Sequence, residues 1–414
     1  MSQELINSVN KLTDETSALL QEYVKGNTVL QNSAAMSEIS ANLAANSAQS
    51  AAIHDQSARS HADRARQIAN IETVDQAVAA AMENERAAML INAIKVIGGG
   101  KIEAVVDGFG AWHVMGVLPA MSYEQLGIPG CPFTGIIDEF RRADGTIKPL
   151  TRIGIYMSAS VSGRLASQPG LTPRVDLNFD EFRDQSAALG GGLHLLNIFQ
   201  NALVNWLILG YMANGGQAPR GNAEWGRAHD AISEVGIRGD GRISNDRTGS
   251  GLTLTGSGPD SWTHDGTKTG ITDWVGNAWE WVDGLKMSGG EFVVAEYSGQ
   301  PESEWLRTGR YINAGHVFSM TAPPSPVASS ARWGSFGKTS DYVGHELLQR
   351  LMIEPIDCTK VLNGNFWYNT DGERSLLARA SWHGGAGAGP VALSLSHPRS
   401  LRGGSIGGRL AFGS

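Results

Sequence analysis

The chain has 414 residues, and its 33 Lys and Arg against 41 Asp and Glu leave a net charge of −8. That balance argues against a general nucleic-acid-binding role, which shows basic patches. No apolar run reaches the ~18 residues of a membrane span, and the opening MSQELINSVN has neither the basic nor the apolar stretch of a secretory leader, so the expectation is synthesis in the cytoplasm without a signal peptide and no membrane insertion.

Composition breaks near residue 98. Before it stand a single glycine, Gly26, and no proline or tryptophan; after it come all 15 prolines and all 11 tryptophans. Residues 1–97 are rich in Ala, Ser, Asn, Gln and Glu, which favour or tolerate helix. Leu5, Val9, Leu12, Leu19 and Tyr23 follow the 4-3 rhythm of a coiled-coil seam, with Thr16 in the gap, and a sparser seam runs through Met36, Ile39, Leu43, Ile53, Ile71, Val74 and Val78. So sparse a stripe cannot hold a lone helix. The expectation is an elongated, self-associating helical region over 1–97, with a disordered or hairpin helical linker as the alternative.

Residues 98–111 read as a linker with a short strand at 101–106, and 112–414 as a globular domain. Within it, 134–140 and 153–158 read as strands. Residues 176–188 place Leu177, Phe179 and Phe182 opposite a charged face and read as a helix, and 193–212 is the strongest apolar helical run, a central buried helix. Residues 213–270 are rich in Gly, Asp, Asn, Ser and Thr; loops of that length inside a compact domain are usually functional or tied by metal. The Asp240, Asn245 and Asp246 spacing does not match an EF-hand loop. Cys131 and Cys358 lack metal-ligand spacing and read as two free buried thiols rather than a pair.

The stretch TDWVGNAWEWVDG at 272–284 organises the rest. Trp279 and Trp281 fall on one face of a strand and Glu280 on the other. A carboxylate beside buried rings is costly unless paired or bound to a metal. The histidines show no HExxH spacing, and the Gly-x-Ser-x-Gly match at 403–407 is followed by no acid or histidine, so no catalytic residue is assigned.

Gly276, Asn277, Ala278, Trp279, Glu280, Trp281 and Val282 closely resemble the Gly-Asn-Val-Trp-Glu-Trp signature of the formylglycine-generating-enzyme-like branch of the C-type lectin fold. The runs at 192–206, 219–225 and 379–412 fit that family in the right order, with Arg379, Ala380, Ser381 and Trp382 similar to its Arg-Gly-Gly-Ser-Trp. Order and loop wording most resemble phage tail-fibre and receptor-binding proteins, including relatives diversified by retroelements. The implied fold class is α+β, an elongated helical or coiled-coil N-terminal region followed by a C-type-lectin-like domain over 112–414. Formylglycine chemistry needs a late cysteine pair, and Cys358 has no late partner, so an enzyme is not expected.

The resemblance implies a virion protein, a homotrimer that attaches to tail or baseplate proteins through 1–97 and binds a host cell-surface receptor, glycan or protein, through its C-terminal segment. The matching positions here are Trp382, His383, Ser394, Ser396, His397, Arg399 and Arg402. Val391, Leu393 and Leu395 alternate with Ala392, Ser394 and Ser396, so one face should be buried and the other presented. Asn277 and Glu280 are the implied calcium ligands; the alternative is that Asn277 orders a turn and Glu280 pairs with Arg379 or Arg409. No other cofactor is expected. Competing roles are a structural baseplate or fibre connector and a surface-glycan-modifying enzyme.

Overall fold

The computed structural model describes residues 7–12, 14–16, 94–96 and 98–413. The chain divides into two units, Met1–Gly99 and Gly100–Ser414. In the first, 7–12, 14–16 and 94–96 are helical. Thr16 Oγ1 donates to the Leu12 carbonyl at 2.7 Å, and Lys11 lies 3.8 Å from Glu15. Val9 and Leu12 are 39% and 55% exposed. The other seam positions, Leu5, Leu19 and Tyr23 and those from Met36 to Val78, lie outside the described residues.

The second unit runs through β1 (Ile102–Val106), β2 (Trp112–Pro119), β3 (Leu150–Gly154), β4 (Ala159–Val161), β5 (Arg164–Ala166), helix α1 (Phe179–Ala188), β6 (Leu193–Leu195), helix α2 (Ile198–Ala213), β7 (Trp279–Ser288) and β8 (Glu291–Val294). It continues through β9 (Leu306–Asn313), β10 (Val317–Ser319), β11 (Ala328–Arg332), β12 (Gly337–Lys338), helix α3 (Glu346–Arg350), β13 (Asn365–Asn369), β14 (Glu373–Ala378), β15 (Leu393–Leu395), β16 (Ile406–Gly408) and β17 (Leu410–Phe412). Five strands form one sheet in the order β1-β2-β3-β17-β6; a larger sheet runs β11-β13-β15-β14-β7-β8-β9-β10-β12, with β16 on β7; β4 and β5 pair alone. The C-terminal residues stitch the two sheets together. β16 runs parallel to β7, and β17 lies antiparallel between β3 and β6. Met115, Phe182, Leu195, Trp281, Leu377 and Leu410 meet in one core drawn from both sheets and α1.

Both long helices start where the chain supplies a cap. Asn178 accepts from Glu181 N while Glu181 Oε2 accepts from Asn178 N, at 2.9 and 3.0 Å. Asn197 and Gln200 repeat the arrangement at the head of α2, which buries twelve of its sixteen residues, Trp206 completely. The apolar run at 193–212 is therefore split: its first residues pair as β6 and the helix begins only after Asn197.

The α+β expectation led by an elongated coiled coil is corrected. The described residues are mostly β, with few helices and no elongated coiled coil. After residue 98 glycine recurs too often for long helices to persist, and the apolar residues come in short runs rich in aromatic and β-branched side chains. Residues 134–140, expected as a strand, form only a bridge between Ser122 and Ile136 and a 3-10 turn at Asp138–Phe140.

Candidate functional site

Glu280 sits on β7 with one ring neighbour on each side and is 1% exposed. Two arginines close on it. Arg409 Nη2 donates to Oε1 at 2.9 Å and Arg409 Nε to Oε2 at 3.2 Å, while Arg379 Nη2 donates to Oε2. Both guanidiniums lie over the Trp274 ring, at 4.1 Å for Arg379 and 5.5 Å for Arg409. Arg409 also donates to the Gly154 and Ile155 carbonyls, each at 2.9 Å, so a single side chain ties β3 to β7. Burial lowers Arg379 to about 10, with Glu280 opposing, so it keeps its charge at neutral pH. Two cations against one carboxylate leave a positive excess, and the second buried carboxylate nearby is Asp273. Burial raises it to about 6, opposed by the Gly256 N–H at 2.8 Å and by Arg409.

Beside this cluster two loop segments cross with no room for side chains. A Cβ on Gly221 would stand 1.8 Å from the Val275 carbonyl oxygen, and one on Gly276, at φ 74°, 2.2 Å from that of Asn222. Asn222 and Asn277 clasp the crossing. Asn277 N donates to the Asn222 carbonyl at 2.7 Å, and Asn277 Oδ1 accepts from Thr253 N at 2.8 Å and Asn222 Nδ2 at 3.3 Å. From the clasp a backbone thread leads outward: Trp382 N donates to the Asn277 carbonyl at 2.9 Å, and Trp225 N to the Trp382 carbonyl at 2.8 Å.

The long loop is tied by a guanidinium. Arg238, 3% exposed, donates to the Asp240 carboxylate and the Thr248 carbonyl at 2.6 Å each, to the Ser250 and Ile243 carbonyls at 3.0 and 3.2 Å, and to the Asp246 carbonyl. Its guanidinium also lies 5.8 Å from the Trp225 ring centre.

At the end of the thread the rings of Trp225 and Trp382 meet edge-on with centroids 4.2 Å apart, and His383 packs on Trp382 at 4.7 Å. Both tryptophans are half-buried and His383 is exposed. Trp382 lies flat over Gly251, where a Cβ would come within 2.4 Å of the indole. Ser381 Oγ holds His383 Nδ1 at 3.2 Å, and partial burial lowers the imidazole's pKa. The glycine-rich turn that follows is anchored by Gly385 N on the Ala223 carbonyl at 2.9 Å and runs under Trp367, which meets Trp279 edge-on at 5.3 Å. Next to it opens a cleft of about 180 Å³ lined by Pro219, Arg220, His229, Asp230, Asn363 and Pro390.

The seven residues singled out for recognition do not form one patch. Trp382 and His383 belong to the ring cluster. Ser394 is 4% exposed, and every residue of β15, which pairs with β13 and β14, is buried; the alternation there does not present a face. Ser396 is half-buried and His397 exposed just beyond that strand. Arg399 is held by Asp180 at 2.8 Å and Glu302 at 3.0 Å, and Arg402 donates to Glu181, so both fasten the C-terminal segment to the head of α1. Sequence reasoning did not join Trp225 to Trp382, which stand far apart in the chain, and it assigned nothing to Arg238.

Asn277 and Glu280 do not fit a calcium ion. Both Glu280 oxygens accept from guanidiniums and the Asn277 oxygen from Thr253 and Asn222, so an ion would have to displace two buried cations. Among the described residues no three His, Cys, Asp or Glu side chains are grouped to hold a metal, and no helix is long and apolar enough to cross a membrane.

No family model matches the chain, and no curated protein matches it. Among solved structures it is similar to one titled "Major Tropism Determinant U1 Variant", at 11% identity over 75% of this chain and 71% of that one, with a TM-score of 0.29. The likeness is weak.

Proposed function

We propose that this is a phage tail-fibre protein that binds a host cell-surface receptor during adsorption, with Trp225, Trp382 and His383 as the contact. The observation that carries the reading is the edge-on pair of half-buried tryptophans beside an exposed histidine. Their backbone is fixed from beneath by the Asn277 thread. Rigid aromatic groups, partly wet and held on a scaffold that cannot shift, are what binding hot spots are made of. The order of the motifs and the loop wording, which resemble those of phage tail-fibre and receptor-binding proteins, point the same way. The contact itself is aromatic rings and an imidazole, which suits binding, and the Glu280 carboxylate beneath it is buried and held by two arginines. Residence in the virion, attachment to tail or baseplate proteins and a homotrimeric state belong to this reading; three copies would raise avidity without any new contact.

The test is saturable adsorption of the purified full-length protein to a panel of bacterial cells. A Trp225→Ala, His383→Ala double variant that melts like the wild type should lose adsorption, and a Ser396→Ala, His397→Ala variant should keep it. Equal binding by the first variant, or loss by the second alone, moves the contact away from the tryptophan pair.

A further inference from the structure

Two clefts meet where α2 hands over to the long loop. One, of about 250 Å³, opens between Tyr211 and Thr263, and the other is the 180 Å³ cleft that reaches Asn363; Gln217, Ala218 and Arg220 line both. Together they make one groove of two lobes. Tyr211 closes one end of it and is 37% exposed. Its ring lies against Gly216 and its hydroxyl against Gly266, and a Cβ on either glycine would run into them. Gly216 N donates to the Tyr211 carbonyl at 2.9 Å, so the ring is a fixed platform. In the shared wall Arg220 N donates to the Ser261 carbonyl at 2.9 Å. The Arg220 guanidinium is forked between two carboxylates, Nε donating to Asp230 at 3.3 Å and Nη1 to Glu234 at 3.0 Å. Its Nη2 donates to nothing among the described residues, and the exposed Gln217 amide has no partner there either. In the second lobe the exposed Asn363 accepts from Arg332 through Oδ1 and keeps Nδ2 free among the described residues.

We propose that this groove is a second binding site, for an uncharged oligosaccharide that lays adjoining sugar rings in the two lobes. A sugar ring has an apolar C–H face and a rim of hydroxyls, and each hydroxyl both donates and accepts. The groove answers both parts. The Tyr211 ring offers an apolar face with a polar tip. Arg220 Nη2, the Gln217 amide and Asn363 Nδ2 are free donors, while the half-exposed Asp230 carboxylate and the Gln217 carbonyl accept. A few convergent polar groups around a concave site fix orientation and specificity. An apolar protein side chain in the same place would leave those groups unpaired. Charge sets the class of sugar. The single cation of Arg220 faces the carboxylates of both Asp230 and Glu234, and that negative excess opposes carboxylate, sulfate or phosphate substituents. Gly221 and Ala223, which line the second lobe, keep it clear of bulky side chains. The inference does not rest on the receptor reading of the tryptophan pair.

The experiment is saturation-transfer NMR of the full-length protein with maltose, cellobiose, lactose and N,N′-diacetylchitobiose. At least one of these disaccharides should show saturable transfer, and glucuronic acid should not displace it. Tyr211→Ala should abolish the transfer and Tyr211→Phe should retain it, because the ring is the platform. Gln217→Ala and Asn363→Ala change exposed side chains and should melt like the wild type, yet each should raise the Kd roughly three- to tenfold, the worth of one hydrogen bond. The proposal is overturned by the absence of transfer from all the disaccharides, by unchanged binding in Gln217→Ala and Asn363→Ala, by displacement with glucuronic acid, or by loss of binding in the Trp225→Ala, His383→Ala variant alone.

Discussion

The backbone N–H of Trp382 lies 2.9 Å from the carbonyl oxygen of Asn277, which ties a half-buried tryptophan of the C-terminal segment to one of the most buried residues of the domain. Asn277 is completely buried at φ 63°, and its side chain spans Thr253 and Asn222. The ring pair therefore takes its position from a residue that a receptor cannot touch.

Asn277→Ala should cost roughly 3 kcal/mol, because it leaves the buried Thr253 N–H unpaired and puts a Cβ-bearing residue with no compensating side chain in the left-handed region. Asn277→Gly should recover the conformational part alone. Urea unfolding followed by tryptophan fluorescence checks both, and equal stability of the Ala and Gly variants would assign the whole cost to lost hydrogen bonds. Adsorption should weaken in both although Trp225, Trp382 and His383 are intact.

Glu280→Gln should be more damaging, about 3–5 kcal/mol, since it leaves two buried guanidiniums facing a neutral amide. Adding calcium or a chelator should leave the melting temperature of the wild type unchanged. A calcium-dependent rise would return Asn277 and Glu280 to the role that their motif implies.

Residues 272–284 show where sequence reasoning reaches and where it stops. Strand periodicity puts Trp281 into the core and Glu280 on the opposite side, and burial beside rings demands a partner for the carboxylate. Which partner it takes depends on β14 and β16 arriving on either side of β7 from far along the chain, and no local pattern encodes that arrival. The Val391 to Ser396 alternation misled for the same reason: a period of two says that faces differ, while the neighbours decide whether either is open, and β15 is covered on both. Helical periodicity found α1 and its end at Ala188 but began it at 176, whereas the Asn178 and Glu181 capping pair starts it at Phe179. It overran at 193–197, where apolar content is high but Asn197 caps the helix late.

Composition at 213–270 announces a loop without saying what ties it. Arg238→Ala removes five hydrogen bonds, all from the two terminal guanidinium nitrogens, that anchor 240–250 and leaves the acceptors of that segment to water. Limited proteolysis should then cut within 240–250 while the rest of the domain stays resistant. Arg238→Lys should protect only in part, since an ammonium cannot reproduce the planar fork. Unchanged resistance in Arg238→Ala would mean that the Asp246 turn, with Thr248 N donating to its carboxylate at 2.9 Å, holds the loop alone.

Two carboxylates should give the stability of the protein opposite slopes with pH. Asp273 has a folded pKa raised from 3.8 to about 6 by burial. The folded state then binds more protons than the unfolded between about pH 4 and 6, so stability falls as pH rises through that window, and the cost is fully present above it. For Glu302 burial works upward, but hydrogen bonds from Lys286, Arg399 and Arg183 prevail and lower it from 4.5 to about 2. Its contribution is present above pH 4.5 and is lost as pH falls toward 2. Asp273→Asn, tolerated at φ 51° because Asn accepts the left-handed region, should therefore gain roughly 2–3 kcal/mol on the wild type between pH 4 and 7. Glu302→Gln should be destabilised near neutrality and draw level with the wild type toward pH 2. Unfolding free energies of the three proteins across pH 2 to 7 check both slopes. A flat difference for Asp273→Asn would mean that Arg409 and the Gly256 N–H already hold that carboxylate ionised, so that it balances the second arginine of the buried cluster throughout.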